Sequence, residues 1–279
     1  MDHISRALER AQSEQRSISS WVRPSSVETR IVAPNLKPTN SVVLRESHLR
    51  ARHVLCGRGK EDQAVSDRYR LLRTRLLQVL KSQEHNSVGI TSPGPKDGKT
   101  LTSINLSISI AREGSYKVVL VDADLRKPSV ADDLGIQAEK GLIDYLSSPD
   151  VEFADILMQT SIDNLFVVPG RHEHFTRAVP ELLSSDRMRD LVTQYRGQEH
   201  CIVIIDLPPV HLGDDVVALA PYLDGILMVV REGGTPINAL KESVDLLKDY
   251  AILGTVLNDS SERKQNFDGY YYGGATERA

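Results

Sequence analysis

The residues that could do chemistry begin in TSPGPKDGKT, Thr91–Thr100, which ends on Gly98-Lys99-Thr100. A phosphate-cradling loop has the spacing G-x-x-x-x-G-K-[ST]. Its glycines let backbone amides approach the oxygens, its lysine reaches the β- and γ-phosphates, and its hydroxyl ligates Mg²⁺. The last three letters fit. The slot five before Gly98 holds Pro93, and the nearest glycine, Gly94, comes one place late, with Pro93 and Pro95 stiffening the turn. Taken alone, G-K-T after a turn is an ordinary helix start. Three carboxylates add to it: Asp122 and Asp124 in VVLVDADLRKP, and Asp206 in CIVIIDLPP. A single strand-ending aspartate is a turn former. Three of them at one sheet edge, facing Lys99 and Thr100, make a metal–phosphate constellation, and we read the loop as a variant nucleotide site.

Such a site needs strands that end together and a helix that starts at the loop. Ser87–Thr91, Lys117–Asp122, Leu165–Val168, Cys201–Asp206, Gly225–Val230 and Ile252–Leu257 are short apolar runs, predicted as strands buried on both faces. Helices are predicted over Lys99–Glu113, closed by Gly114, over Arg187–Tyr195 and over Ile237–Tyr250. Before the first strand, Val65, Tyr69, Leu72, Leu76 and Leu80 recur at helical spacing. Alternation of strand and helix predicts an α/β fold with a mostly parallel sheet and helices on both faces. Ligands bind such sheets at the carboxyl ends of the strands.

The flanks differ from this body. His3–Gln15 is helix-like, and Ser17–Asn40 is rich in Ser, Pro, Thr and Asn, as in a linker. Residues 1–60 hold 11 Lys/Arg against 5 Asp/Glu, on a chain of 279 residues with net charge −4. That is either a basic docking arm or a solvated tail, and it gives no global pull toward nucleic acid. The organisation expected is therefore an arm over 1–60, a phosphate-loop domain over 61–260 and a polar, Gly-rich tail over 261–279 bearing Tyr270, Tyr271 and Tyr272. Two cysteines, Cys56 and Cys201, make neither a disulfide framework nor a metal spacing. No apolar run reaches the roughly 18 residues that span a bilayer, and the N-terminus has no apolar signal core. A cytoplasmic location is expected, with any membrane contact made through a partner.

SPGPKDGKT, VVLVDADLRKPS and CIVIIDLPPV, in that order, resemble the Walker A, A′ and B segments of the bacterial tyrosine kinases. These are the cytoplasmic autokinases of exopolysaccharide and capsule assembly, relatives of the division-site and partitioning ATPases. VPELLSSDRMRDLV, DGILMVVREGGT and GTVLND read likewise. SDRYRLLRT is similar to the family's E-x-x-R-x-x-R oligomerisation motif, with Asp67 where the family has glutamate and Arg70 and Arg73 in place. The lysine that partitioning-type ATPases carry early in the loop is replaced here by Ser92 and Pro93, and Lys96 sits late.

The resemblance implies a P-loop NTPase-type fold with ATP and Mg²⁺ as cofactors. It implies nucleotide contacts from Gly94, Pro95, Lys96, Asp97, Gly98, Lys99, Thr100, Leu101 and Asn258. Metal contacts fall to Thr100, Asp122 and Asp206, and catalytic roles to Lys99, Asp122 and Asp124, with Asp122 the favoured base. Arg126 either stabilises phosphate charge or is a plain surface arginine. Tyr270, Tyr271 and Tyr272 would be phosphorylated on neighbouring copies in a homo-oligomer held by Asp67, Arg70 and Arg73. The expected partner is a membrane-bound polysaccharide co-polymerase; neither nucleic acid nor a direct membrane span is expected. Two other readings stay open: a P-loop ATPase that switches partners without phosphorylating protein, and a non-catalytic nucleotide-binding subunit.

Overall fold

The computed structural model describes residues 38–55, 60–171, 179–196, 198 and 200–260. Most of the expected arm and the whole tyrosine tail lie outside these residues. Strands are β1 (Asn40–Val42), β2 (Ser87–Thr91), β3 (Lys117–Asp122), β4 (Met158–Thr160), β5 (Leu165–Val168), β6 (Cys201–Asp206), β7 (Gly225–Arg231) and β8 (Ile252–Asn258). Helices are α1 (Glu46–Ala51), α2 (Lys60–Gln83), α3 (Lys99–Ala111), α4 (Val130–Leu134), α5 (Leu142–Ser147), α6 (Phe153–Ile156), α7 (Val179–Leu183), α8 (Asp186–Thr193), α9 (Asp215–Leu219) and α10 (Ile237–Leu246).

The strands form one sheet in the order β1-β4-β5-β3-β6-β2-β7-β8. Every pairing is parallel except β4 with β5. The three strands that carry the site are neighbours. Asp122 pairs in register with Asp206, and Ile90, one residue before the end of β2, also pairs with Asp206.

Alternation along the central strands divides the core in two. Val119 and Val121 of β3 face one layer with Val203 and Ile205 of β6, covered by α5 to α9. Val118 and Leu120 face the other with Ile202 and Ile204, covered by α1 to α4. This is the expected arrangement of helices on both faces, and it explains why these strands are apolar at every position.

Three local expectations change. β8 is the sheet edge rather than a doubly buried strand, and Leu257 is 56% exposed. The apolar stripe of α2 reaches the core only at its C-terminal half: Leu76 and Leu80 are buried, Tyr69 and Leu72 pack partly against the core, and Val65 is exposed. The helix from Lys99 stops at Ala111, where Gly114, at φ +92°, donates its N–H back to the Ala111 carbonyl. The three-residue strands β1 and β4 and the short helices between β3 and β7 lack the run length that periodicity needs.

Candidate active site

The loop between β2 and α3 is held from two sides. The Thr91 hydroxyl donates to the Pro208 carbonyl at 2.7 Å, and the Val210 N–H donates to the Ser92 carbonyl at 2.9 Å. These bonds stitch the loop to the chain leaving β6. Within the loop, the Gly94 N–H donates to Asp97 Oδ2 at 3.0 Å. Lys96 (φ 67°) and Gly98 (φ 97°) take left-handed conformations. Gly98 is required twice over, because a Cβ there would lie 2.0 Å from the Asn258 side-chain nitrogen. That amide donates to the Asp97 carbonyl at 2.9 Å, so Asn258, from the edge strand, buttresses the loop. No side chain caps the start of α3, and its first turn holds no acid. Free N–H groups and the positive end of the helix dipole therefore face the loop, which is an anion site.

Below the loop the ionisable groups converge. Lys99 Nζ lies 2.8 Å from Asp124 Oδ2 and 3.4 Å from Asp206 Oδ2. The Thr100 hydroxyl donates to Asp206 Oδ2 at 2.7 Å, and the Ser103 hydroxyl, one turn further along α3, lies 2.9 Å from Asp206 Oδ1. Asp122 Oδ2 accepts from the backbone N–H groups of Ser129 and Val130 at 2.9 and 3.0 Å. Asp122 Oδ1 is buried and has no hydrogen-bond partner. Asp124 is committed on both sides, since its Oδ1 accepts from the Lys127 N–H at 3.1 Å.

Burial disfavours charge on these acids. It pushes Asp122 up to about 8, with the neighbouring Asp206 charge adding to the rise. Asp206 is also raised by burial, against the opposing pull of Lys99, Thr100 and Ser103. Burial alone would lower Lys99, but the charges of Asp206 and Asp124 outweigh it and hold the ammonium form. One buried cation thus faces three buried acids, and the site is short of positive charge.

That deficit fits Mg²⁺. Among the described residues no cluster of three or more His, Cys, Asp or Glu side chains forms a cage for a metal ion. Mg²⁺ is held by one or two carboxylates when phosphate oxygens supply other positions. Thr100 and Asp206 are donors of that kind, with Asp122 beside them on the neighbouring strand.

The structure brings Gly94–Leu101, Asp122, Asp124, Asp206 and Asn258 into one region. Arg126 is neither free nor aimed by itself: Asp215, 1% exposed, grips it at 2.5 and 3.0 Å. The two arginines of α2 have different environments. Arg70 pairs with Asp67 at 2.6 Å on the surface, whereas Arg73 donates to the Ser109 carbonyl of α3 at 3.0 Å. Sequence reasoning missed Ser103, Ser129, Asp215 and Gly170. A Cβ on Gly170 would come within 3.2 Å of the Asp122 carboxyl carbon. Only Ser103 had a legible signal, as the next turn of the helix after Lys99.

A family model described as an AAA domain matches residues 96–222. The chain is 31% identical over 215 residues to the putative tyrosine-protein kinase EpsB of Ralstonia nicotianae, covering 76% of this chain and 28% of that protein. It is 29% identical over 216 residues to the tyrosine-protein kinase YwqD of Bacillus subtilis, covering 74% of this chain and 86% of the relative. The chain therefore spans about a quarter of the first relative and most of the second. Among solved structures, the kinase domain of the Escherichia coli tyrosine kinase ETK superposes with a TM-score of 0.63 at 28% identity, over 75% of this chain and 80% of that one. The loop and the strand-end carboxylates agree with these likenesses, and the chain is similar in sequence and in P-loop fold to the bacterial tyrosine kinases.

Proposed function

We propose that the chain is an ATP-dependent protein-tyrosine autokinase acting in exopolysaccharide polymerisation and export. Its acceptors are Tyr270, Tyr271 and Tyr272 on a neighbouring copy, and its partner is a membrane-bound co-polymerase. The observation that carries this is the buried group of Lys99, Thr100, Asp122, Asp124 and Asp206 under an uncapped helix start, in a chain whose relatives are tyrosine kinases. Among the described residues no helix is long and apolar enough to cross a membrane.

Bound Mg²⁺–ATP supplies the γ-phosphoryl group and much of the charge neutralisation that phosphoryl transfer needs. The loop amides and Lys99 hold the phosphate oxygens. Asp206 fixes Thr100 and Lys99, and Ser103 fixes Asp206. Asp122, with one oxygen anchored and the other unpartnered, takes the tyrosine proton. Tyr69 is partly buried and hydrogen-bonded with Asn105 and Thr102, and Tyr195 is fully buried, so neither is the acceptor in this reading. Asp67, Arg70 and the α2 surface around them serve self-association.

The test is incubation of the purified chain with Mg²⁺–ATP followed by phosphosite mapping. Phosphate on Tyr270–Tyr272, absent when all three are Phe while ATP binding persists, is expected. Steady ATP hydrolysis with no phosphotyrosine overturns the reading in favour of a partner-switching ATPase.

A further inference from the structure

Between α2 and the end of β8 lies a groove of about 1000 Å³. Exposed apolar side chains line part of it: Val65 and Leu71 of α2 and Leu257 of β8 are 42%, 54% and 56% exposed. Arg68 and Arg75 also line it, and neither makes an ion pair or hydrogen bond among the described residues. They stand seven residues apart on one helix face, about 10 Å along the axis. The acid in the lining, Asp259, is already engaged by Arg231 at 2.7 Å. Among the described residues β8 pairs on one side only, so its other edge offers backbone groups to an added strand.

We propose that this groove receives the chain's own C-terminal tail, residues 261–279, once its tyrosines are phosphorylated; the proposal rests on the tyrosine-kinase reading. The chain itself leads there. Asp259 takes a left-handed conformation (φ 54°) at the end of β8, and Ser260, the next residue, lines the groove. Tyr270 follows ten residues later, a reach of roughly 33 Å. That exceeds the roughly 23 Å length of a seven-residue strand, so the tail can double back along β8. The tail is electrically balanced, with Glu262, Asp268 and Glu277 against Arg263, Lys264 and Arg278. It gains about −1.5 to −2 per phosphate. Tyr270 and Tyr272 share one side of an extended strand, about 7 Å apart. Their phosphates match the guanidinium forks of Arg68 and Arg75. A tail held in this groove is withdrawn from a neighbour's active site, so the reaction limits itself.

The test uses the dephosphorylated full chain without ATP and a labelled synthetic peptide of residues 261–279, with or without phosphate on the three tyrosines. The phosphopeptide is expected to bind at least tenfold tighter than the bare peptide and to weaken steeply with salt. Arg68→Glu with Arg75→Glu, both on the surface and checked for an unchanged melting temperature, should remove that gain. Equal binding of both peptides, or full binding by the double variant, overturns the proposal. The peptide is made chemically, so the two ideas fail separately. A chain that binds it but forms no phosphotyrosine from Mg²⁺–ATP overturns the kinase reading and keeps the groove's preference for the phosphorylated tail. A chain that phosphorylates its tail but ignores the phosphopeptide overturns the groove alone.

Discussion

Asp122→Asn should make the nucleotide-free protein more stable while stopping phosphoryl transfer. Asp122 is fully buried, with its folded pKa moved from 3.8 to about 8 by burial and by the Asp206 charge. An acid raised on folding contributes full stability below its unfolded pKa, and stability falls as pH rises toward the folded value. The window is therefore pH 4 to 8. At pH 7 the gap from the unfolded value corresponds to about 4 kcal/mol of destabilisation. The Asn amide keeps the acceptor that Ser129 and Val130 use, but places an N–H₂ where the unpartnered oxygen stood. That new donor costs about 1–3 kcal/mol if left unsatisfied. A net gain of about 2 kcal/mol remains, or ~4–8 °C in melting temperature for a domain of this size. Thermal and urea unfolding with EDTA, from pH 5 to 8.5, would measure it. The variant should show a flatter pH dependence and its largest advantage above pH 7. An unchanged or lower melting temperature, with the wild-type slope, refutes the claim that Asp122 is held there at a cost to stability.

Three further outcomes follow from the geometry. Gly98→Ala puts a methyl on the Asn258 amide at φ 97°, so ATP affinity by fluorescence titration should fall at least tenfold; wild-type affinity would remove the loop from the site. Lys99→Met takes away the cation between Asp124 and Asp206, and autophosphorylation should become undetectable in a protein whose circular dichroism is native; retained labelling would refute the role of Lys99. Arg73→Ala, which strips the Ser109 carbonyl of its donor, should cost about 1.5–3 kcal/mol in urea unfolding. Arg70→Ala, in an exposed pair, should cost under about 0.5 kcal/mol yet weaken self-association by sedimentation. Equal stability losses would show that the two arginines do the same work.

The site was legible because its signals are local. Asp122 and Asp206 each close a run of at least four apolar residues, and Gly98-Lys99-Thr100 follows the short stretch Ser87–Thr91 across one turn; these stretches match β2, β3 and β6 within a residue or two. That the three strands are neighbours did not follow from any one run. It follows from the crossover rule together with three carboxylates that make sense only at one edge. What stayed illegible depends on pairing across the chain. Apolar text cannot tell an edge strand from a central one, so Ile252–Leu257 read as buried although one side of β8 is open. The same gap hid the groove. Val65, Tyr69 and Leu72 have core spacing, but among the described residues no strand lies beyond β8 to cover them all.

Arg73 makes the point on a smaller scale. Its spacing from Arg70 places both on one helix face and suggests a joint role. Yet where α2 packs on α3 it is Arg73, and not Arg70, that meets an open carbonyl near the end of α3. A helix end leaves its last carbonyls without intrahelical donors, and the nearest long cation is drawn to them. Spacing within one element shows which residues can act together; the neighbour's unsatisfied groups decide which of them do.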